Sequence, residues 1–239
     1  MCIRDSPSSL VFGSGNWSVS QVITLTGLDD NVSDDNQTTL LTLSLSSSDS
    51  KYDNSSLSAQ TVTVTTSDND TVAVLISESS LSVGEDGTSD TFTVRLNSEP
   101  TDNVSVTLTS SDLGEMSVLD NLSFGPDNWS VAQTVTVTGV DDNVSDDNQT
   151  SVLSVLSSSS DSKYNGLSDN LSVVTADNDT VGFSLSQPTA VVSENGSVTD
   201  SISVVLTSEP TAAVTLSVTD NDTSAVSYTH LRAHETTNY

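Results

Sequence analysis

Residues Phe124–Thr150 read FGPDNWSVAQTVTVTGVDDNVSDDNQT, and Phe12–Thr38, 112 residues earlier, read FGSGNWSVSQVITLTGLDDNVSDDNQT. Each copy joins a strand-like run to a run of carboxylates. Between Gln133 and Thr138 valine alternates with threonine, the period-two pattern of a half-buried strand. A second marker, Asp-Asn-Asp-Thr-Val, stands at Asp68–Val72 and again at Asp177–Val181. A period of about 110 residues is too long for a solenoid unit and matches one β-sandwich domain. The expected architecture is all-β: tandem immunoglobulin-like antiparallel β-sandwiches, one complete and two partial.

Working outward from the two copies, residues 7–70 are the C-terminal part of one repeat, 71–179 a complete repeat, and 180–225 the N-terminal part of a third. Residues 1–6 and 226–239 resemble translated sequencing adapter and are expected to be non-native. Cys2, His230 and His234 all fall in those ends, and between them the only bases are Lys51, Arg95 and Lys163. Without cysteine there is no disulfide, so a core or a metal must hold each unit together.

A net charge of −28 in 239 residues would suit a disordered chain, but Thr91–Leu96 and Asn103–Leu108 alternate as strictly as the first run. In the complete repeat strands are expected at Val72–Ser77, Leu81–Val83 (continuing the same edge), Asp90–Leu96, Asn103–Thr109, Glu115–Leu119, Leu122–Phe124, Ala132–Thr138, Ser151–Leu156 and Leu171–Thr175. Turn residues separate them at Gly84–Gly87, Ser98–Pro100, Gly125–Asn128 and Asn165–Gly166. Phe124 and Trp129 are expected to plug the core, since aromatics carry much of the burial. Tyr164 is expected to be a partly buried loop anchor.

Residues 71–179 hold 18 acids against two bases, most of them between the strands, and Asp outnumbers Glu. A solvating coat would scatter its acids over exposed strand faces. Clustering of the short Asp in turns suits a hard cation instead. Ca²⁺ takes six to eight oxygens at about 2.3–2.6 Å, whereas Mg²⁺ keeps its waters and zinc favours the absent Cys and His. Carboxylates converging on one sandwich end would repel one another without a cation.

The order of a Glu-x-Gly turn, a Phe…Trp stretch running into Asp-Asp, and a closing Asp-Asn-Asp resembles the Calx-beta family, whose immunoglobulin-like sandwiches bind Ca²⁺ in loops at one end. That resemblance implies Glu85 from the first loop, Asp112 from the middle loop, and Asp141, Asp142 and Asp146 from the late loop, with Asp177 and Asp179 at the exit. In the partial repeats it implies Asp29, Asp30, Asp34, Asp68, Asp70 and Glu194. Asp146 stands where the family commonly has Glu, and no aromatic opens the next strand. Cadherin-like and other adhesin sandwiches share the Asp-x-Asp ends.

The expected function is a calcium-binding structural spacer in a large extracellular or cell-surface protein of adhesin type. Its partners are neighbouring repeats of the same chain. Thr71 and Thr180 follow the Asp-Asn-Asp blocks directly, so an ion there would stiffen the junction. The alternative is a module that holds a cell-surface glycan or protein through Trp129 or the loop Ser160–Leu167. An enzyme is not expected, because the native part has no His or Cys, no Gly-x-Ser-x-Gly and no phosphate-loop or dinucleotide glycine pattern. Nucleic acid is opposed by the charge, and no membrane span is read in this fragment. The two partial repeats leave apolar faces and open edges, so head-to-tail association between molecules is expected.

Overall fold

The computed structural model describes residues 4–6, 9–53, 57–119, 121–221, 224 and 226–228. Cys2, His230 and His234, with the rest of residues 1–3 and 229–239, lie outside the described residues. All regular structure among the described residues is β. Within residues 1–6, β1 (Arg4–Ser6) pairs with β2 (Thr24–Thr26) of the first partial repeat, where β3 (Gln37–Leu43) also pairs with β4 (Gln60–Thr66). The third repeat contributes one hairpin-like pair, named below.

The complete repeat contains β5 (Val74–Ile76), β6 (Ser80–Gly84), β7 (Ser89–Leu96), β8 (Val104–Ser110), β9 (Met116–Val118), β10 (Leu122–Phe124), β11 (Gln133–Gly139), β12 (Gln149–Ser159) and β13 (Ser168–Ala176). They form two facing sheets, β10-β8-β12-β13-β6 and β5-β7-β11-β9. Beyond them β14 (Phe183–Leu185) pairs with β15 (Val204–Leu206). Among the described residues every pair is antiparallel except β13 with β6, which runs parallel from Ser172 opposite Ser80 to Ala176 opposite Gly84.

That parallel pair corrects one expectation. Leu81–Val83 does not continue the edge opened by β5 but crosses to the other sheet. Ser77 N–H still bonds Thr93 O at 3.0 Å, while Ser79 O already accepts Ser172 N–H at 3.1 Å, so the crossing falls at Glu78. Such sheet-switching bends make the corners of a sandwich.

The alternating runs bury one face each: Phe92, Val94 and Leu96 on β7, Val135 and Val137 on β11, Leu153 and Val155 on β12, Leu171 and Val173 on β13. Register sets Val135 against Phe92 and Leu153 against Leu171, the cross-strand pairing that stabilises sheets. Every member of the buried apolar cluster lies between Leu81 and Val173. Trp129 is half-buried and packs against that cluster.

Two further expectations change. Strand β12 runs to Ser159 rather than ending at Leu156. Its buried Ser157 donates to Tyr164 O, and its N–H bonds Leu167 O at 2.9 Å, so a serine there is satisfied as a strand residue. Tyr164 is not partly but wholly buried, 1% exposed. Its hydroxyl donates to Ser98 O at 2.7 Å and accepts Ser98 N–H at 3.0 Å.

Candidate metal centre

One end of the complete sandwich gathers carboxylates because two glycines let backbones meet there. A Cβ on Gly139 would lie 2.1 Å from Gly84 O, a contact only glycine permits. Gly139 N–H bonds Thr88 O at 3.1 Å, and Gly87, at φ 84, closes the turn with its N–H on Gly84 O at 3.1 Å. Glu85 is thereby held where β11 and β13 end, with its N–H on Ala176 O at 3.1 Å. It is 1% exposed, and its Oε2 accepts Asn178 N–H at 3.2 Å.

The late loop and the exit are stitched together by their own side chains. Asp142 Oδ1 accepts Val144 N–H at 2.7 Å, the local turn that Asp favours. Asp147 takes φ 64 and sends its N–H to Asp177 Oδ2 at 2.9 Å. Asp177 Oδ1 accepts Asp179 N–H at 2.7 Å, and Asn178 Nδ2 donates to Asp141 Oδ1 at 3.0 Å.

Glu115, which the sequence reading passed over, belongs to this end. Its carbonyl accepts Val140 N–H at 3.0 Å and Thr175 Oγ1 at 3.2 Å, and the residue is 7% exposed. Asp112, expected as the middle-loop ligand, is exposed, and its Oδ1 closes a turn on Gly114 N–H at 2.9 Å. The available signal was position: Glu115 stands at the mouth of β9, one residue before the buried Met116.

Two sets of carboxylates offer oxygens within 4.8 Å of one another: Glu85, Asp177 and Asp179, and Glu85, Glu115 and Asp142. Glu85 joins them. Asp112, Asp141 and Asp146 fall outside both sets, though their charges are felt. Burial raises the Glu85 pKa, and Asp177, Asp142 and Asp146 add to the rise despite the opposing Asn178 hydrogen bond. Glu115 is raised by burial and then by Asp146, Glu85, Asp112 and Asp142. Asp179 is raised by burial and then by Asp177, Asp141 and Asp142.

Glu115 Oε2 and Asp179 Oδ2 are buried with no hydrogen-bond partner among the described residues. A buried carboxylate oxygen among like charges is unfavourable unless something positive meets it. The donors are all hard oxygens, which suits Ca²⁺.

The first repeat builds the same late loop without its covering. Val32 N–H bonds Asp30 Oδ1 at 3.1 Å, Asp35 N–H bonds Asp68 Oδ2 at 2.8 Å, and Asp70 N–H bonds Asp68 Oδ1 at 2.9 Å. Asp29, Asp30, Asp34, Asp68 and Asp70 line a cavity of about 240 Å³ with Gly27, Leu28 and Thr66. Burial raises the Asp70 pKa, with help from Asp68, Asp29, Asp30 and Asp34, whereas the Asp70 N–H lowers that of Asp68. Glu194 is exposed, in a turn that Gly196 closes at φ 69. None of these six residues falls in either carboxylate set.

The family model of the Calx-beta domain matches residues 4–70, 67–177 and 176–232. Among solved structures, the apo-form Calx CBD1 domain is 16% identical, covering 45% of this chain and 98% of its own, with a TM-score of 0.37. WR4, a C. elegans MSP family member, is 7% identical over 44% of this chain and 96% of its own, at 0.32. Domains 4 and 5 of the S-layer protein SbsC are 15% identical over 49% and 52%, at 0.27. No curated protein matches the chain in sequence.

Proposed function

Because the chain belongs to the Calx-beta domain family, we propose that Glu85, Glu115, Asp142, Asp177 and Asp179 hold Ca²⁺ at one end of the complete sandwich. Asp141 and Asp146 complete the negative field around them. The observation that carries this reading is the pair of buried, unpartnered oxygens on Glu115 and Asp179, set among carboxylates whose pKa values are raised. A divalent cation in each of the two sets that Glu85 joins would supply the missing partner for its unpartnered oxygen and reduce the repulsion. Asp29, Asp30, Asp34, Asp68 and Asp70 are the corresponding half-site of the repeat before.

On this reading the protein is a structural spacer in a larger extracellular or cell-surface protein of adhesin type, and calcium stiffens the array. The role is structural rather than catalytic, since the converging carboxylates read as cation ligands and the hydroxyls beside them, Ser145 and Thr175, are spent on the carbonyls of Asp179 and Glu115. No helix among the described residues is long and apolar enough to cross a membrane. The alternative, glycan or protein binding through Trp129 or Ser160–Leu167, has less support, since Tyr164 is buried and Trp129 packs on the core.

The test is thermal unfolding of the whole chain in EGTA and in millimolar Ca²⁺. A ligand held only by the native state stabilises it with the logarithm of its concentration over Kd. The midpoint should rise with Ca²⁺ and rise far less with Mg²⁺. Asp142→Ala and Glu115→Ala should remove most of the gain. Equal midpoints with and without Ca²⁺ would end the reading.

A further inference from the structure

We propose that Lys163, and Lys51 at the same place in its own repeat, is a latch that docks on the acidic loop of the preceding repeat and fixes a head-to-tail junction without metal. The repeats hold few bases, yet Lys51 and Lys163 recur at the same 112-residue spacing as the long block. Lys163 Nζ donates to Ser33 O at 2.7 Å and stands 3.1 Å from Asp35 Oδ2. Beside it Glu99 N–H bonds Asn31 O at 2.7 Å. Both donors come from the complete repeat. Asn31, Ser33 and Asp35 belong to the loop of the preceding repeat that also carries Asp29, Asp30 and Asp34.

The backbone contact of the junction recurs. Glu209 N–H bonds Asn143 O, one repeat further along on both sides. The socket keeps its shape where no lysine reaches it, since Asp35 and Asp147 take φ 65 and 64. The hook is formed in advance as well. Lys163 N–H bonds Asp161 Oδ1 at 2.9 Å, and Asp161 N–H bonds Ser159 Oγ at 3.0 Å. Around the exposed Lys51 the same turn stands, with Lys51 N–H on Asp49 Oδ1 at 3.0 Å and Asp49 N–H on Ser47 Oγ at 3.0 Å.

Preorganised halves lose little freedom on docking. An exposed ion pair alone adds little, and Asp35 is 86% exposed. The specificity therefore lies in the two carbonyls, Asn31 O and Ser33 O, which accept donors at fixed spacing, while the charge of the acidic loop draws the lysine in. The occupant of such an acidic loop is the lysine-bearing end of another copy of this repeat. Within this chain Lys163 fills the first socket, and the loop around Asp147 is the socket for the repeat that follows.

The test uses the full chain with Cys2→Ser, spin-labelled at Thr63→Cys and Ser105→Cys, in EGTA, so that its outcome is independent of the calcium reading. Interspin distances should be narrowly distributed in the parent and in Lys163→Arg. Lys163→Ala should broaden them about twofold, because domains without a large interface move by default. The urea midpoint of the complete repeat should stay where it was, which separates a latch from a folding defect. An unchanged distribution in both Lys163→Ala and Asp35→Ala overturns the proposal.

Discussion

Phe12 is 51% exposed and Phe124 1%; Trp17 is 73% exposed while Trp129 packs on the core; Tyr52 is 61% exposed and Tyr164 1%. These are the same residues of the same motif, met once in a partial repeat and once in a complete one. Their local hydrogen bonds agree. Gly13 N–H reaches Asn16 Oδ1 at 2.6 Å and Gly125 N–H reaches Asn128 Oδ1 at 2.7 Å. Gln21 Nε2 reaches Val11 O at 2.8 Å and Gln133 Nε2 reaches Ser123 O at 2.8 Å. Turn chemistry is thus written in the segment itself, whereas burial is conferred by strands from elsewhere. Residues 9–70 carry counterparts of β11 to β13 but none of β6 to β8, so half a sandwich is left uncovered.

The largest way to probe that difference is association. Val11, Trp17, Val22 and Leu40 in one flank and Val191, Val205 and Val214 in the other are all more than half exposed. Open edges and bare apolar faces recruit partners. Sedimentation of the whole chain should reveal concentration-dependent oligomers, and residues 71–179 alone should stay monomeric. A strictly monomeric whole chain over a wide concentration range would contradict the picture.

Next come paired truncations of the same phenylalanine. Phe124→Ala should cost about 3–5 kcal/mol, the range for emptying a core aromatic site. Phe12→Ala should stay within about 0.5 kcal/mol, as exposed substitutions do. Urea unfolding of the whole chain measures both. Similar losses would mean that the flank is packed after all.

The glycines before the two Asp-Asp pairs give the third contrast. An added Cβ at Gly139 meets Gly84 backbone at 2.1 Å, but at Gly27 it meets only the Thr66 methyl at 3.0 Å. Gly139→Ala should cost about 1–3 kcal/mol, as overpacking does, and should blunt the calcium response by displacing Glu85. Gly27→Ala should do neither. A Gly139→Ala protein with parental calcium response would show that the Glu85 turn is placed by something else.

Most of the fold was legible because alternation states which face of each strand is buried. The repeat period and the Asp-rich turns likewise marked the acidic end. What was not legible depended on distant partners. The crossing at Glu78 follows from Leu81 and Val83 finding β13, which no local pattern announces. The strand expected to end at Leu156 runs on to Ser159 because Tyr164 and Leu167 supply partners for the buried Ser157. Asp112 was expected from the family resemblance, and what sets Glu115 apart from it is burial behind Thr175 and Val140, which the local pattern does not show.

The pH dependence in EGTA should differ in sign from ordinary acid unfolding. Glu85, Glu115 and Asp179 have folded pKa values raised above their unfolded ones. Their stabilising contribution is fully present below the unfolded values and is lost as pH rises through the folded ones. The metal-free complete repeat should therefore gain stability as pH falls from neutrality toward the ordinary carboxylate range, before ordinary carboxylates titrate. Glu115→Gln should lift the midpoint in EGTA and flatten the slope. In the flank Asp70 is raised and Asp68 lowered, so their effects oppose. A midpoint that falls steadily with acidification in EGTA would refute the assignment.

The smallest contrast sits at the far end, between Asp161 and Asp49. Burial disfavours the Asp161 charge, but N–H groups of Thr101 and Lys163 outweigh it and leave the pKa lowered. Thr101 N–H bonds Asp161 Oδ2 at 2.9 Å, tying the hook loop to the turn before β8. Asp49 has the matching bond from Lys51 N–H at 3.0 Å, while the flank has no counterpart of Thr101. Asp161→Ala should therefore cost about 1 kcal/mol, one net hydrogen-bonded contact, and Asp49→Ala almost nothing. A lowered carboxylate stabilises above its unfolded pKa and loses that contribution as pH falls through the folded one. The Asp161→Ala penalty should accordingly shrink below about pH 4, the opposite of the trend set by Glu115. It should also be the same in EGTA and in Ca²⁺, since Asp161 stands outside both carboxylate sets. A penalty that appears only with Ca²⁺ would place Asp161 within reach of the metal and break the division between the proposed ion-binding end and the proposed docking end.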